Sequence, residues 1–576
     1  MRDGCPQRYF NGHFVLLPGR LPSSRFAATS VSNPDTNASE ALRRPWAVGL
    51  LAVLIAALGV LPAALGRVQP DTGWYLYSAG RVLDGARMYV DLVEVNPPLI
   101  VWLDIVPVAL GRAFGVPAEL VFTVLVAILA VASVACIGVL LRQIFPSSAG
   151  IRRLLGLAAI FVLLPLPRLD FAQREHLLLA LTMPYVLLTA IRATKGSAGR
   201  PAAVAIGAAA GLGIALKPHF VLLWLGLEIG LWWAGSRRWP RLRPESVAVV
   251  IVGAIYLGSV VLWTPQYFDV VRLMAAPYFG FLRNSLLVTA LAGDGALPPL
   301  AALLTAVAMR RSARTKPVWI VVGCAVAGVW LAAVLQQKGW QYHFYPAVGL
   351  SLWLLVLILV DANTPLQSPL ERLFRAGAVL LVGGMGAVVV AGSVARMVQP
   401  RDPRYDEDQD LHRLIPVVRE YGRGGSMALF SWSIASTFPL TNYADVRLAF
   451  RFPSLWPLAV IYWPDVHRGA PVRYHARAEM GALERFVEDA VVRDFVSSRP
   501  DVAVVLWSGR DDSALRLRRL DYLCYFLRDP RFRLAFEPYH YVRTVGEYWI
   551  FGRDDPAGEP QDKSPSPVSC PRGAPR

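Results

Sequence analysis

The 576-residue sequence predicts a mostly α-helical, polytopic membrane protein that ends in a smaller α/β domain. Three observations carry this prediction. Hydrophobic residues make up 55% of the chain and charged residues only 17%, where a soluble domain would carry about a quarter charged residues. Apolar runs of membrane-crossing length recur from Trp46 to Arg396. Beyond Gln399 the composition turns charged, with short apolar stretches and no run of that length. The net charge of +17 does not point to nucleic acid. Arg and Lys sit mostly in short loops between apolar runs, as the positive-inside rule predicts.

Residues 1–44 carry six Arg among Pro, Ser and Asn without sustained periodicity. They read as a disordered cytoplasmic tail, since no apolar core abuts a basic start and no A-x-A-like cleavage site follows. The membrane domain is expected over 45–398, with its first span at 46–66. An outer loop, 67–116, then mixes Asp71, Asp84, Asp91 and Glu94 with Trp74, Tyr75, Tyr77 and Tyr89. That composition suits a folded loop. Asp71 opens an aromatic-rich helix, and Asp84-Gly85 reads as its stop. Residues 99–114, with Asp104 and Arg112, are short for a span and are expected to lie in the interface as an amphipathic helix.

The remaining spans fall near 117–141, 151–167, 175–191, 201–216, 219–234, 246–264, 286–309, 317–335, 343–360 and 376–396, making about eleven transmembrane helices. Sixteen Arg and Lys then lie in the short loops on the side of the N-terminus, against six in the opposite loops. This bias predicts a cytoplasmic N-terminus and an extracytoplasmic C-terminal domain in the plasma membrane. In that domain, 399–553, residues 427–432 and 502–507 read as buried strands, 479–497 as a helix and 541–551 as a late strand or hairpin. Residues 554–576 read as a disordered tail. The five cysteines show neither CxxC nor His pairing, so no metal site is expected, and only Cys524 and Cys570 are candidates for a disulfide.

With this topology the outer side collects polar residues at span ends. They include Asp71, Asp91 and Glu94 in the first loop, and Arg168, Asp170, Arg174, Glu175 and His176 between spans three and four. Lys217 and His219 follow at the next outer hairpin, with Lys338 and His343 at the opening of span ten. Carboxylates supply bases, and cations supply a seat for an anion. Each has a plainer reading. Arg168 and Arg174 could be snorkelling anchors. Asp170 could be a helix cap, Glu175 a local partner of Arg174, and His219 and His343 interfacial rings. Trp340, Tyr342 and Tyr345 fit an aromatic belt. Lys217 is harder to dismiss, because so short a loop holds its ammonium at the membrane face.

The first loop resembles that of the C-type (GT-C) glycosyltransferases, in the branch of the protein O-mannosyltransferases and the lipid A aminoarabinose transferase. The resemblance rests on Asp71-Thr-Gly-Trp-Tyr, Leu83-Asp-Gly85, Met88-Tyr89-Val-Asp91 and Asn96-Pro97-Pro98-Leu99. Gln173-Arg174-Glu175-His176, Lys217-Pro218 and the C-terminal domain stand where that family has a second polar loop, a Lys-Pro element and an outer soluble domain. Thr72 departs from the pattern, as many relatives carry a second acid there.

The resemblance implies transfer of a sugar from a polyprenyl-phosphate donor at the bilayer to an acceptor hydroxyl on the outer face, with inversion. The acceptor is a glycan, lipid or protein of the cell envelope. Asp71 would be the general base. Lys217, Arg174, His219, Lys338 and His343 are the donor-phosphate candidates. Asp91, Glu94, Asp170, Glu175 and His176 are the second-acid or acceptor-side candidates. Such a donor carries its own leaving group, so no cofactor is required, though Asp91 or Glu94 leaves room for a divalent cation. The rival reading is a transporter or flippase of a lipid-linked or small substrate. Transporters place ionisable groups near the midplane at broken helices, whereas these charges cluster at span ends.

Overall fold

A computed structural model describes residues 44–195, 199–235, 242–363, 366, 368–398, 406–468, 472–507, 520–554 and 570. The expected tails lie outside these residues except for Arg44, Asp554 and Cys570, as do Arg237, Arg238 and Arg241.

Among the described residues, fifteen α-helices cover the first two thirds of the chain. They are α1 Pro45–Leu65, α2 Pro70–Leu83, α3 Leu99–Phe114, α4 Ala118–Ile144, α5 Ala149–Leu163, α6 Arg174–Lys195, α7 Arg200–Ala215, α8 Val221–Ala234, α9 Pro244–Trp263, α10 Gln266–Gly280, α11 Leu286–Ala292, α12 Leu297–Ala308, α13 Lys316–Leu335, α14 Gln341–Asp361 and α15 Pro369–Val398. Seven of them (α1, α4, α6, α9, α13, α14 and α15) are long and apolar enough to cross a membrane alone, so this is an integral membrane protein. Helices stand at all eleven expected span positions, but α5, α7 and α8 are too short to count by length. The span expected at 286–309 is not one helix. It breaks into α11 and α12 with a bend of 75°. The break falls at Gly293-Asp-Gly295, where Gly295 takes φ +99°, and Pro298-Pro299 restarts the helix. Residues 265–285, expected as a loop, contain α10.

Helix α3 has the bounds that the sequence predicts. It buries Ile100, Asp104, Val108 and Gly111 along one stripe, leaves Val106 and Phe114 exposed, and ends at Gly115 in the left-handed region. Elsewhere small residues let helices touch. A side chain at Gly226 in α8 would come within 2.5 Å of the Cys324 backbone in α13.

The C-terminal α/β region begins with α16, Asp406–Gly422, and builds a five-stranded sheet of β1 Ser426–Phe430, β2 Arg447–Leu448, β3 Val502–Leu506, β4 Tyr539–Val545 and β5 Tyr548–Arg553. The order is β2-β1-β3-β5-β4, with β1 parallel to β2 and β3, and β3-β5-β4 antiparallel. Strand β3, Val-Ala-Val-Val-Leu, is buried at every position, as a central strand covered on both faces should be. The helix Ala482–Ser498 ends on Arg499 at φ +44°, followed by Pro500. Strands β4 and β5 form the expected hairpin about Gly546 at φ +55°. Cys524 and Cys570 are joined by a disulfide.

This region sits directly on the first loop. Asn442 Nδ2 donates to the Gly73 carbonyl at 3.1 Å, the Leu448 amide donates to Tyr77 Oη at 2.9 Å, and the Val93 amide donates to the Arg451 carbonyl at 2.7 Å. Trp74, Tyr77 and Phe438 pack ring against ring across the same seam. A loop carbonyl, a loop hydroxyl and a loop amide thus each find a hydrogen-bond partner in the α/β region.

Candidate active site

Between the membrane helices and the α/β region lies a cavity of about 630 Å³, within the range typical of ligand sites. Three segments supply its ionisable lining: the start of α2 (Asp71), the turn before α3 (Glu94), and the stretch from Arg168 to Arg174 that leads into α6. Tyr75, Tyr278, Trp340 and Tyr342 join them, and Trp432 and Trp456 come from the α/β region.

Asp71 lies in the first turn of α2, after Gln69 as N-cap and Pro70 as the first helical residue. Its side chain is 22% exposed, and its Oδ2 is 3.4 Å from Arg174 Nη2. Arg174 is the first residue of α6, where a cation opposes the helix dipole. Its guanidinium is 3% exposed, lies 4.9 Å over the Tyr75 ring, and has no hydrogen-bond partner at Nε or Nη1. A buried guanidinium left short of acceptors is a seat for an anion. Arg168 also lines the cavity and has a buried Nε without a partner. Its guanidinium rests on Gly392 of α15, where a Cβ would stand 2.8 Å from Nη2.

Glu94 is buried, accepts from Trp74 Nε1 at 2.6 Å and from the Asn96 amide at 2.8 Å, and is thereby tied to the loop. Burial raises its carboxyl above the usual range, against the pull of those donors and of Arg174. Burial also pushes the Asp170 carboxyl up to about 7, with the Glu175 charge adding to the shift. The other acids expected near the chemistry stand apart. Asp91 is exposed and bound to Arg87. Glu175 is fully buried and holds Lys217 Nζ at 2.5 Å. Asp104, outside that set, is fully buried on α3 with neither carboxyl oxygen bonded.

Lys217, His219, Lys338 and His343 lie outside the cavity lining. Lys217 sits behind Tyr342, 5.4 Å from its ring, in its pair with Glu175. His343 packs on Tyr342 and Trp340, and His219 on Phe220. Lys338 donates to the Tyr278 and Phe281 carbonyls, so it closes the C-terminal end of α10 as a cation there should. His176 is a brace between backbones. Its Nδ1 accepts from the Ala172 amide at 2.9 Å, which leaves the Nε2 proton for the Leu163 carbonyl at 2.7 Å. Among the described residues no three His, Cys, Asp or Glu side chains gather closely enough to hold a metal ion. Sequence reasoning missed the wall from the α/β region, because nothing local marks Trp432 or Trp456 as facing Asp71 to Arg174, 258 to 385 positions earlier.

The fold is ArnT-like. The chain is similar in structure to ArnT from Cupriavidus metallidurans bound to undecaprenyl phosphate, with a TM-score of 0.51 and 16% identity over 89% of this chain and 99% of that one. The apo state of ArnT aligns over the same shares at 0.49 and 15%. The arabinofuranosyltransferase AftD from Mycobacteria aligns at 0.39 and 15%, over 88% of this chain and 40% of that one. No family model matches the sequence, and no curated protein does.

Proposed function

We propose that the protein is a membrane glycosyltransferase that moves a sugar from a polyprenyl-phosphate donor to an acceptor hydroxyl on the outer face of the membrane, with inversion. The observation that carries this reading is Asp71 beside Arg174 in one cavity, a part-exposed carboxylate next to a buried guanidinium short of acceptors. Asp71 takes the acceptor proton as its oxygen attacks the anomeric carbon. The bond from that carbon to the phosphate oxygen breaks, and polyprenyl phosphate leaves with its added charge met by Arg174 and Arg168. Attack opposite the leaving group inverts the centre. No cofactor is needed, because the phosphate is already a leaving group. Lys217 and Glu175 hold the floor beneath Tyr342, and Asp170 and Glu94 are the remaining acids able to face the acceptor.

The ArnT structure with this fold holds undecaprenyl phosphate, which makes that lipid the first carrier to test. Lipids extracted from cells lacking this protein should contain one polyprenyl-phosphate sugar in excess, cleared on complementation. An unchanged lipid-sugar profile would count against the reading. The orientation is checked separately. A reporter active only in the cytoplasm, fused after Arg396, should be silent, while one fused in the 142–153 loop should be active. The reverse pattern would put the cavity on the wrong side for this chemistry. The Cys524–Cys570 disulfide supports the outer placement, since disulfides persist in oxidising compartments.

A further inference from the structure

The charge in the cavity is segregated. Its ionisable lining (Asp71, Glu94, Arg168, Asp170 and Arg174) comes from the first loop and the approach to α6. Among the described residues that line it, the opposite wall, from α10, the start of α14 and the α/β region, carries no carboxylate, ammonium, guanidinium or imidazole. It presents aromatic rings and hydroxyls instead. Phe281 stands between two indoles, 6.3 Å from Trp456 with planes 27° apart and 6.3 Å from Trp432 nearly edge-on. Tyr278 meets Trp456 at 5.6 Å. All four rings are only partly buried, so each keeps surface toward the cavity. Ser433 and Ser454 lie beside the indoles.

The backbone beneath this wall is also suited to a ligand. Trp432 and Ser433 follow the carboxyl end of β1. From there the chain runs to β2 on one side of β1 and later returns as β3 on the other. Ligands of open α/β sheets sit at such a point, outside the carboxyl ends of strands whose connections diverge.

We propose that this wall is the acceptor subsite and that the acceptor is a neutral carbohydrate, with the C–H face of a sugar ring laid on Trp432 and Trp456. The assignment of the sugar as acceptor rests on the transferase reading given above. A phosphorylated or otherwise anionic acceptor would meet no cation among the described residues of this wall. A sugar offers what the wall can use: an apolar ring face for the rings and hydroxyls for the serines.

The test uses the full-length protein in phospholipid nanodiscs. Saturation-transfer NMR is recorded with a panel of neutral methyl glycosides and oligosaccharides and, separately, with a serine- and threonine-containing peptide. Undecaprenyl phosphate binding is measured in parallel by native mass spectrometry. At least one neutral glycan should receive saturation. Its affinity should fall about tenfold or more in Trp432→Ala with Trp456→Ala, the scale expected when stacked rings are removed. Trp432→Phe with Trp456→Phe should recover part of it, and all variants should retain undecaprenyl phosphate. Transfer to the peptide and to none of the glycans would overturn the proposal, as would glycan binding indifferent to both indoles. Glycan binding that depends on the indoles, with no undecaprenyl phosphate bound, would uphold the carbohydrate shelf and overturn the donor reading instead.

Discussion

Asp71→Asn in the full-length protein is expected to lower the rate of sugar transfer by about 10²–10⁴-fold, the usual share of a general base. The substitution keeps the shape of the side chain and an oxygen for Arg174, but removes the proton acceptor. Gln69, not Asp71, occupies the N-cap of α2, so no cap is lost. The stability cost lies in the pair with buried Arg174, where the Asn oxygen keeps a hydrogen bond but not the compensating charge, so the melting temperature should fall modestly while the fold is kept. Removing the negative charge 3.4 Å from Arg174 also frees that cation, so donor binding should be kept or tightened. The checks are initial rates at saturating donor, a thermal melt in detergent and a donor titration. Transfer at the wild-type rate would move the base to Glu94 or Asp170, the other carboxylates that line the cavity. Asp91 and Glu175 would not enter that search, since neither lines it.

The second large effect is expected at Lys217. Its ammonium and the Glu175 carboxylate are 5% and 0% exposed and 2.5 Å apart. Removing one member of a buried pair leaves an uncompensated charge and typically costs about 3–5 kcal/mol. Lys217→Ala should therefore lower the melting temperature clearly and reduce the amount of folded protein. Lys217→Met combined with Glu175→Gln should recover much of the loss, because no lone charge is then buried. Activity of the folded fraction reports on the site itself. If Lys217→Ala melts like the wild type while donor affinity falls, the ammonium contacts the phosphate directly, a charged contact contributing about 1.5–3 kcal/mol.

Local signals determined much of this protein. Apolar runs located the membrane helices, because a helix in lipid must be apolar along its length to satisfy its surroundings. Pro97-Pro98 and Gly115 bounded α3, since proline starts helices and glycine ends them in the left-handed region. The two buried strands and the late hairpin were legible as short apolar runs between turn signals. Even the break at Gly293-Asp-Gly295 was written in the residues, though the average hydropathy of 286–309 concealed it. Asp71 and Arg174 were legible as site candidates, because polar groups at the ends of apolar spans are costly unless used.

Tertiary structure alone decided which of those groups meet. That Lys217 pairs with Glu175, 42 positions earlier, instead of lining the cavity depends on how α6 and the hairpin after α7 pack. That Lys338 caps α10 depends on how the start of α14 meets α10, and that Trp432 and Trp456 face Asp71 across one cavity depends on the α/β region seating on the first loop. A residue's type and its neighbours in sequence report whether it prefers water, lipid or a helix end. They do not report its partner, because contacts between distant segments come from the packing of whole elements, and one packing selects among many pairings that local preference leaves equal.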